Sequence, residues 1–255
     1  VDGNESKYPA CANLMHESEN HDVVDEKDYL SLVMKIMFIA TRSRPDILFA
    51  TVTLASRSTT HLAVDYDRLI KILRYLNGTR DKGLRYHNAG KIKLRMFVDA
   101  GFQTHRDAKG HTGFIIFPDE LSAGVLFKCK KQGSVSQSST EAELISLHEG
   151  VTYLKWLSSI YEELGHATKP IEVYEDNKST MMLAGAEQVT YKGRSKFIDR
   201  KYFGIYQHIE DGSIKLVHVG TENQIADFFT KVIIGSKFER MRYSIMGDES
   251  ISKYI

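Results

Sequence analysis

The sequence predicts an α/β protein in which a mixed five-stranded sheet with flanking helices follows a small helical region. The first third of the chain carries apolar residues at helical spacing. After about Gly83, short apolar runs of strand length alternate with stretches of helical periodicity, an order typical of a mixed α/β sheet. We therefore expect four regions: an extended lead-in at 1–24, a helical region at 25–82, the α/β domain at 83–232 and a C-terminal tail at 233–255.

Three helices are predicted in the helical region. Asp25 can cap the first helix through its side chain. Pro45 disfavours helix at the residue before it and suits the first turn of a second helix, from about 47 to 55. A third helix is expected to start at Asp65 and to stop at the Asn-Gly pair that ends with Gly78.

The α/β domain is expected to open with a hairpin. Residues 84–87 and 91–99 are its two arms, and the Asn-Ala-Gly segment between them has the composition of a turn. Apolar runs and helical stripes predict the elements that follow. These are strands at 113–117, 125–129, 171–174 and 214–219, and helices at 139–165, at 179–183, from about 197 onward and at 224–230.

Composition disfavours several classes of protein. The chain has 255 residues, of which 42% are hydrophobic and 26% charged, as in an ordinary globular protein. No apolar run approaches the roughly 20 residues of a membrane span. Cys11 and Cys129 are far apart and form no Cys-x-x-Cys pair, which disfavours a disulfide framework or zinc knuckle and favours a reducing compartment. With a net charge of +1, the chain would have to bind any nucleic acid through local basic patches.

Four carboxylates stand out because of where they lie in the predicted elements. Asp99 and Asp176 each end an apolar strand, where a turn residue or a helix cap is the ordinary role of a single aspartate. Asp227 lies early in the last predicted helix, where the helix dipole already favours a negative charge. Glu143 lies beside the apolar stripe of the long helix. Each of the four therefore has a purely structural interpretation when taken alone.

Taken together, the four carboxylates indicate a metal site. Sites in α/β sheets form at the carboxyl ends of strands, so the two strand-end aspartates are expected to meet there. Converging carboxylates repel each other, and bound divalent cations are what usually neutralises their charge. The order Asp, Glu, Asp, Asp suggests a two-metal site that cleaves phosphodiesters, with Mg²⁺ as the cation that prefers oxygen ligands and Mn²⁺ as a substitute.

The start of the long helix contains two glutamates, and only one is expected at the metals. Ser138 with Glu141 has the spacing of a capping box, as does Thr140 with Glu143. We favour the first pairing, which assigns Glu141 to the helix cap and leaves Glu143 free to point at the end of the sheet.

These carboxylates lie in motifs that resemble the Pol polyproteins of copia-type LTR retrotransposons. The resemblance runs from about Tyr29 to Lys231 and covers the C-terminal end of the reverse transcriptase and the ribonuclease H domain that follows. Its ordered motifs are Tyr29–Val33, Ala40–Ala50, Leu73–Arg80, Phe127–Gln132, Ser138–Leu144, Tyr174–Ser179 and Asn223–Lys231.

The resemblance implies a fold, a reaction and a site. It implies a ribonuclease H-like α/β domain at 83–232, preceded by a thumb- or connection-like helical region of reverse transcriptase at 25–82. The implied activity is endonucleolytic hydrolysis of the RNA strand of an RNA–DNA hybrid during reverse transcription, with two Mg²⁺ ions about 4 Å apart. Matched position by position, the catalytic and metal-binding residues of the family fall on Asp99, Glu143, Asp176 and Asp227.

The resemblance also implies substrate contacts and partners. Ser139 and Thr140 could contact the 2′-hydroxyl that distinguishes RNA from DNA, and Asn177 is a further candidate contact. The partners implied are an RNA–DNA hybrid and the remainder of the reverse transcriptase polyprotein, with no membrane, in the cytoplasm within virus-like particles or in the nucleus. Basic residues that could bind phosphates, each with a solvated surface charge as its alternative role, are Lys128, Lys130, Lys131, Arg194 and Lys196.

Departures from the family pattern keep alternatives open. Gly101 and Phe102 stand where the family usually has Asp and Trp, and Val232 where it has Pro. A catalytically inactive module that binds a hybrid or a partner protein is the main alternative to an active nuclease. An integrase-type nuclease is disfavoured, because its glutamate would come last rather than second. The chain contains nothing like the catalytic aspartate pair of a polymerase, so no polymerase activity is expected from it.

Overall fold

The computed structural model describes residues 5–15, 25–88, 90–186 and 204–255. The helical region consists of three helices, α1 (Glu26–Arg42), α2 (Leu48–Ala55) and α3 (Ala63–Gly78), with a short 3₁₀ turn at Pro45–Ile47. All three predicted helices are present.

Local chemistry accounts for the ends of these helices. Asp25 caps α1 by accepting hydrogen bonds from the backbone N–H groups of Lys27 and Asp28. Pro45 lies in the 3₁₀ turn that separates α1 from α2. Helix α3 begins two residues before the predicted start, and Asp65 stabilises that start by accepting from the backbone N–H of Leu62 at 3.2 Å.

Among the described residues, the sheet has five strands, as predicted. They are β1 (Arg95–Gly101), β2 (His111–Phe117), β3 (Leu126–Lys131), β4 (Ile171–Glu175) and β5 (Ile214–His218). Their order across the sheet is β3-β2-β1-β4-β5. The pairs β1–β2 and β2–β3 are antiparallel, whereas β1–β4 and β4–β5 are parallel, so the mixed α/β class is confirmed.

The predicted hairpin before β1 is wrong. Residues 84–87 are not a strand, and β1 pairs with β2 instead. The backbone of Arg85 donates to the carbonyl of Met246 at 2.8 Å and accepts from the N–H of Ala123 at 2.7 Å. The Asn-Ala-Gly turn signal is local, but the hydrogen-bond partners of this segment come from distant parts of the chain.

The end of the chain also differs from expectation. The predicted helix at 224–230 is instead a 3₁₀ turn, Ile225–Phe229, in which all five residues are buried. The segment is only five residues long and packs against both the sheet and the C-terminal helix, so tertiary contacts rather than an amphipathic stripe determine its form. The predicted tail contains a further helix, α6 (Gly235–Met246), and a 3₁₀ turn at Ile251–Tyr254.

Hydrophobic cores cover both faces of the sheet. Helix α4 (Ser139–Glu163) packs on one face, against side chains that include Met96 and Val98. The opposite face, which includes Phe97, shares a core with the helical region, the 3₁₀ turn and α6. This second core contains residues from the helical region, from the α/β domain and from the segment after 232. The predicted boundaries at 82–83 and 232–233 therefore do not coincide with a break in the core, and they stay a prediction.

The remaining described elements are short. Helix α5 (Lys178–Ala184) follows β4, and its N-cap is Asn177. Residues 204–210 are helical, which agrees with the end of the helix predicted from 197 onward, whereas residues 187–203 lie outside the described part of the chain.

Candidate metal centre

Three of the four predicted carboxylates converge. Asp99 lies near the end of β1, and Asp176 directly follows β4, its parallel neighbour. The strand register pairs Phe97 with Tyr174, so continuing it by two residues brings Asp99 opposite Asp176. Glu143 joins them from the first turns of α4, and one carboxylate oxygen of each residue lies within 4.8 Å of the others.

The cap of α4 separates the two glutamates as predicted. Ser138 is the N-cap, and its hydroxyl accepts from the N–H of Glu141 at 3.1 Å. The carboxylate of Glu141 turns back to accept from the N–H of Gln137 at 2.7 Å. Glu143, two residues later, is 7% exposed and faces the sheet. One turn further on, Ser146 donates to the backbone carbonyl of Asp99 at 2.8 Å, which ties α4 to β1.

The environment of Asp99 and Glu143 disfavours the charged forms of their carboxyls. Burial raises the pKa of Asp99 to about 6, although the ammonium of Lys231 opposes the shift. Burial, followed by the negative charges of Glu175 and Asp99, raises the pKa of Glu143 well above its ordinary value. The Oε2 atom of Glu143 is buried and has no hydrogen-bond partner. A cation would relieve both the repulsion and the unpartnered oxygen.

Asp227 is close to the converging trio but has cationic partners of its own. Its carboxylate is ion-paired with Lys231 and with Lys237, the latter at 2.9 Å between Nζ and Oδ2. Lys231 also lies 3.5 Å from Asp99. A direct role for Asp227 as a metal ligand therefore stays a prediction.

Several residues near the site were not predicted from the sequence. Glu175, the last residue of β4, is fully buried close to Glu143, and burial raises the pKa of its carboxyl well above the ordinary value. The hydroxyl of Thr230 donates to Asp99 Oδ2. Gln224 donates to the carbonyl of Val98 at 2.9 Å and accepts from the N–H of Ala226, so it joins β1 to the turn that carries Asp227. The one feature of the sequence that could have pointed to Glu175 is its position, as a charged residue in an otherwise largely apolar strand.

The predicted substrate contacts lie in varied settings. Ser139 is exposed and Thr140 half-buried at the start of α4, near Glu143. Asn177 caps α5, and its side chain accepts from the N–H of Thr180 at 3.1 Å. Arg194 and Lys196 lie outside the described residues.

The three predicted lysines of β3 point in two directions. Lys128 donates to the hydroxyl of Tyr153 on α4 at 3.2 Å, and Lys130 lies 3.3 Å from Glu149 on the same helix. Lys131 instead lies 2.9 Å from Asp107, a residue of the connection between β1 and β2. Their role in binding phosphates stays a prediction.

The trio fits a hard divalent cation. All its ligand atoms are carboxylate oxygens, the donors that Mg²⁺ prefers, and Glu143 offers a buried oxygen without a partner. Within the ranges that the structure describes, no other group of three or more His, Cys, Asp or Glu side chains converges closely enough to hold a metal ion. No described helix is both long and apolar enough to cross a membrane.

Comparison with known proteins places the chain among transposon polyproteins. It is 33% identical over 232 residues to the retrovirus-related Pol polyprotein from transposon TNT 1-94 of Nicotiana tabacum, a match that covers 90% of this chain and 17% of that protein. It is 29% identical over 225 residues to the corresponding polyprotein from transposon RE1 of Arabidopsis thaliana, covering 88% of this chain and 15% of that protein.

Comparison with solved structures and with family profiles adds less to the assignment of the chain. The solved structure of LC11-RNase H1, isolated from compost by a metagenomic approach, is 19% identical with a TM-score of 0.40, covering 54% of this chain and 92% of that chain. No protein-family profile matches the sequence. The chain spans less than a fifth of the length of the curated relatives described above. On the strength of those sequence relatives, the chain belongs to the family of retrovirus-related Pol polyproteins from copia-type transposons.

Proposed function

We propose that this chain is a ribonuclease H that hydrolyses the RNA strand of an RNA–DNA hybrid by a two-metal mechanism during retrotransposon reverse transcription. The observation that carries the proposal is the convergence of Asp99, Glu143 and Asp176 at one end of a mixed sheet. Lys231 offsets part of the negative charge at Asp99, but three buried or half-buried carboxylates this close together are costly to fold unless the site serves to bind a cation.

The carboxylates would hold the cations, with Mn²⁺ as a substitute for Mg²⁺. Asp99, Glu143 and Asp176 are the proposed ligands, and Asp227 is the fourth once its ion pair with Lys231 opens. When bound, divalent cations supply activation of water and stabilisation of the charge that develops on the phosphodiester.

The surrounding residues orient these carboxylates. Thr230 donates to one oxygen of Asp99 and so orients the carboxylate, and Lys231 lies near the other oxygen, where a bound cation would take its place. Gln224 and Ser146 anchor the backbone of β1 on either side, at Val98 and Asp99. Such fixed ligands reduce the reorganisation that binding and hydrolysis would otherwise require.

The start of α4 is the proposed entrance for the RNA strand. Ser139 and Thr140 lie four and three residues before Glu143 and remain accessible, so their hydroxyls can meet a 2′-hydroxyl of a strand bound there. Asn177 lies next to Asp176 and has amide hydrogens to offer a phosphate or base. As a part of a Pol polyprotein, the chain would act beside the remainder of the reverse transcriptase, in a cytoplasmic virus-like particle or in the nucleus.

Cleavage of a labelled RNA–DNA hybrid tests the proposal. With Mg²⁺, we expect the chain to cut the RNA strand, Asp176→Asn to abolish cutting, and Asp28→Asn, an exposed substitution on α1, to leave it unchanged. Circular dichroism checks that each variant is folded. Binding of the hybrid without cleavage at millimolar Mg²⁺ would contradict the enzymatic proposal and support an inactive, decayed or domesticated binding module.

A further inference from the structure

A polar cavity lies away from the carboxylates, between the end of α2 and the connection from β1 to β2. Its volume is about 170 Å³. Basic and hydroxyl side chains from three separate parts of the chain converge on it. Those used below are Ser56, Arg57, Thr60, Thr104, Arg106 and Lys131.

The cavity carries an excess of positive charge. Arg57, Arg106 and Lys131 line it, and Asp107 is the one carboxylate among its described lining residues. Burial, followed by the charge of Lys131, lowers the pKa of His105 in the same wall to about 4, so this imidazole is neutral at pH 7. The lining side chains therefore sum to two positive charges.

The cationic groups are partly held in place. Arg57 pairs with Asp65 at 2.7 Å and donates to the carbonyl of Leu14 at 2.9 Å, which fixes a guanidinium that is only 12% exposed. Lys131 pairs with Asp107 at 2.9 Å. Because Asp107 is 44% exposed, this second pair can exchange its carboxylate for another anion.

The cavity lies at the same end of the sheet as the carboxylate trio. Strand register places Gly101 beside His111, and His111 beside Lys131, in one row across β1, β2 and β3. With about 4.8 Å between strands and about 3.3 Å per residue along them, the Cα atoms of Lys131 and Asp99 are about 12 Å apart.

We propose that this cavity binds a backbone phosphate of the nucleic-acid strand, a few nucleotides from the phosphodiester at the carboxylates. The inference rests on the proposed function and adds a second point of attachment to it. Phosphates rise about 3.4 Å per nucleotide along the axis of one strand and are further apart in space because the backbone winds around that axis, so about 12 Å corresponds to a few nucleotides at most.

The chemistry of the walls favours a phosphate over other ligands. Guanidinium and ammonium groups with neighbouring hydroxyls are the donors that bind phosphate oxygens. No Phe, Tyr or Trp is found among the described side chains that line the cavity, and Met15 is the one apolar side chain among them, so the walls offer little surface to a stacked base or an apolar ligand. Arg57 comes from the helical region and Lys131 from the sheet, so a strand bound here would be gripped by both.

Binding of a fluorescent RNA–DNA hybrid tests this site separately from cleavage. Fluorescence anisotropy is measured over a salt series with the Asp176→Asn chain, which is not expected to cut the hybrid. Arg106→Gln and Lys131→Gln should each weaken binding about 3- to 10-fold and lower the salt slope by about one. Asp107→Asn should tighten binding, because it removes the competing carboxylate.

Lys109→Gln is the matched control. It removes the same charge from the same connection and also loses an ion pair with Asp107, at 3.6 Å, but Lys109 does not line the cavity. Its effect should stay below about twofold. Equal losses in Lys109→Gln and Arg106→Gln, or no loss in any variant, would overturn the proposal.

Two further results separate the possibilities. If inorganic phosphate stabilises the chain but not Lys131→Gln, while hybrid affinity is the same in both, the cavity holds free phosphate and the strand proposal is wrong. If the chain never cleaves a hybrid but the variants show the expected changes in affinity, the phosphate site stands and the proposed enzymatic activity does not.

Discussion

The ammonium nitrogen of Lys231 lies 3.5 Å from Oδ1 of Asp99, the carboxylate near the end of β1. Lys231 is also ion-paired with Asp227, so one cationic side chain bridges two predicted metal ligands. Burial disfavours the ammonium form, but Asp99 and Asp227 outweigh it and hold the pKa of Lys231 above its ordinary value. A lysine therefore partly neutralises the site in the absence of a metal ion.

Removing this lysine should tighten metal binding. In Lys231→Gln, a divalent cation no longer competes with an ammonium for the oxygens of Asp99 and Asp227. We expect Mn²⁺ to bind about tenfold more tightly, equivalent to about 1.4 kcal/mol, in calorimetric titrations of metal-free protein. The exposed Lys27→Gln on α1 is the control. Weaker binding in Lys231→Gln would mean that the lysine supports the metal ligands rather than competing with the metal.

The stability of the metal-free protein should fall as the pH rises through the range in which the carboxyl of Asp99 titrates. The pKa of this carboxyl is about 6 in the folded chain, against an ordinary value of 3.8. Between these values the folded chain keeps a proton that the unfolded chain has released, so the free energy of unfolding decreases through this window.

Asp99→Asn should remove this pH dependence. Above about pH 6 the variant should be more stable than the parent by on the order of 2 kcal/mol in urea titrations with chelator present. Asp28→Asn, an exposed change on α1, should follow the parent at every pH. If the curves of Asp99→Asn and the parent run parallel, the pKa of Asp99 is not raised by its environment.

The two glutamates of α4 should respond differently to the same substitution. Glu143→Gln should abolish cleavage of the hybrid and raise the melting temperature of the metal-free protein, because a buried, repelled carboxylate becomes neutral. Glu141→Gln should cleave nearly as fast as the parent and lose at most about 1 kcal/mol, because only the cap at Gln137 is weakened. Similar cleavage rates in the two variants would show that Glu143 is not needed for hydrolysis of the hybrid.

A methyl group at Gly113 should disturb the site, because Gly113 lies on β2 directly opposite Asp99 of β1. A Cβ there would lie 2.5 Å from Cγ2 of Thr230 and 2.9 Å from Cβ of Phe229. Gly113→Ala should therefore cost about 1 to 3 kcal/mol and displace the hydroxyl that Thr230 donates to Asp99, which lowers the cleavage rate.

Gly133→Ala is the matched control for this substitution. A Cβ at Gly133 meets nothing within 4 Å, so stability should change little or rise slightly. The difference between the two variants is read from urea denaturation and from initial cleavage rates. If Gly113→Ala keeps both its stability and its rate, the close packing of Thr230 does not position Asp99.

Patterns that depend on neighbours along the chain were predictable. The caps Asp25 and Ser138 mark the starts of α1 and α4, and the apolar runs of β1 and β4 bring their strand-end aspartates to one edge. Glu143 could be separated from Glu141 because helix capping is a local hydrogen-bond pattern. The sequence alone therefore predicts the three carboxylates that converge.

Contacts between distant segments were not predictable in the same way. Residues 84–87 have the local signal of a hairpin arm, but the end of α6 supplies their hydrogen bonds. The turn that carries Asp227 is 3₁₀ rather than α-helical, and its five buried residues pack against the sheet and α6, which are distant in the chain or predicted as something else. Lys231 contacts Asp99 although more than a hundred residues separate them in the chain. No pattern in the sequence around either residue predicts this contact.

The sequence by itself determined the family, most of the helices and strands, and the carboxylates, because motif order, periodicity and capping are properties of neighbouring residues. Tertiary structure alone decided which charges those carboxylates face. It placed Lys231 and Lys237 against Asp227, buried Glu175 beside the trio, and brought Arg57 to the same cavity as Lys131. Electrostatic interactions depend on distance in space and on burial, and both are set only when the chain has packed.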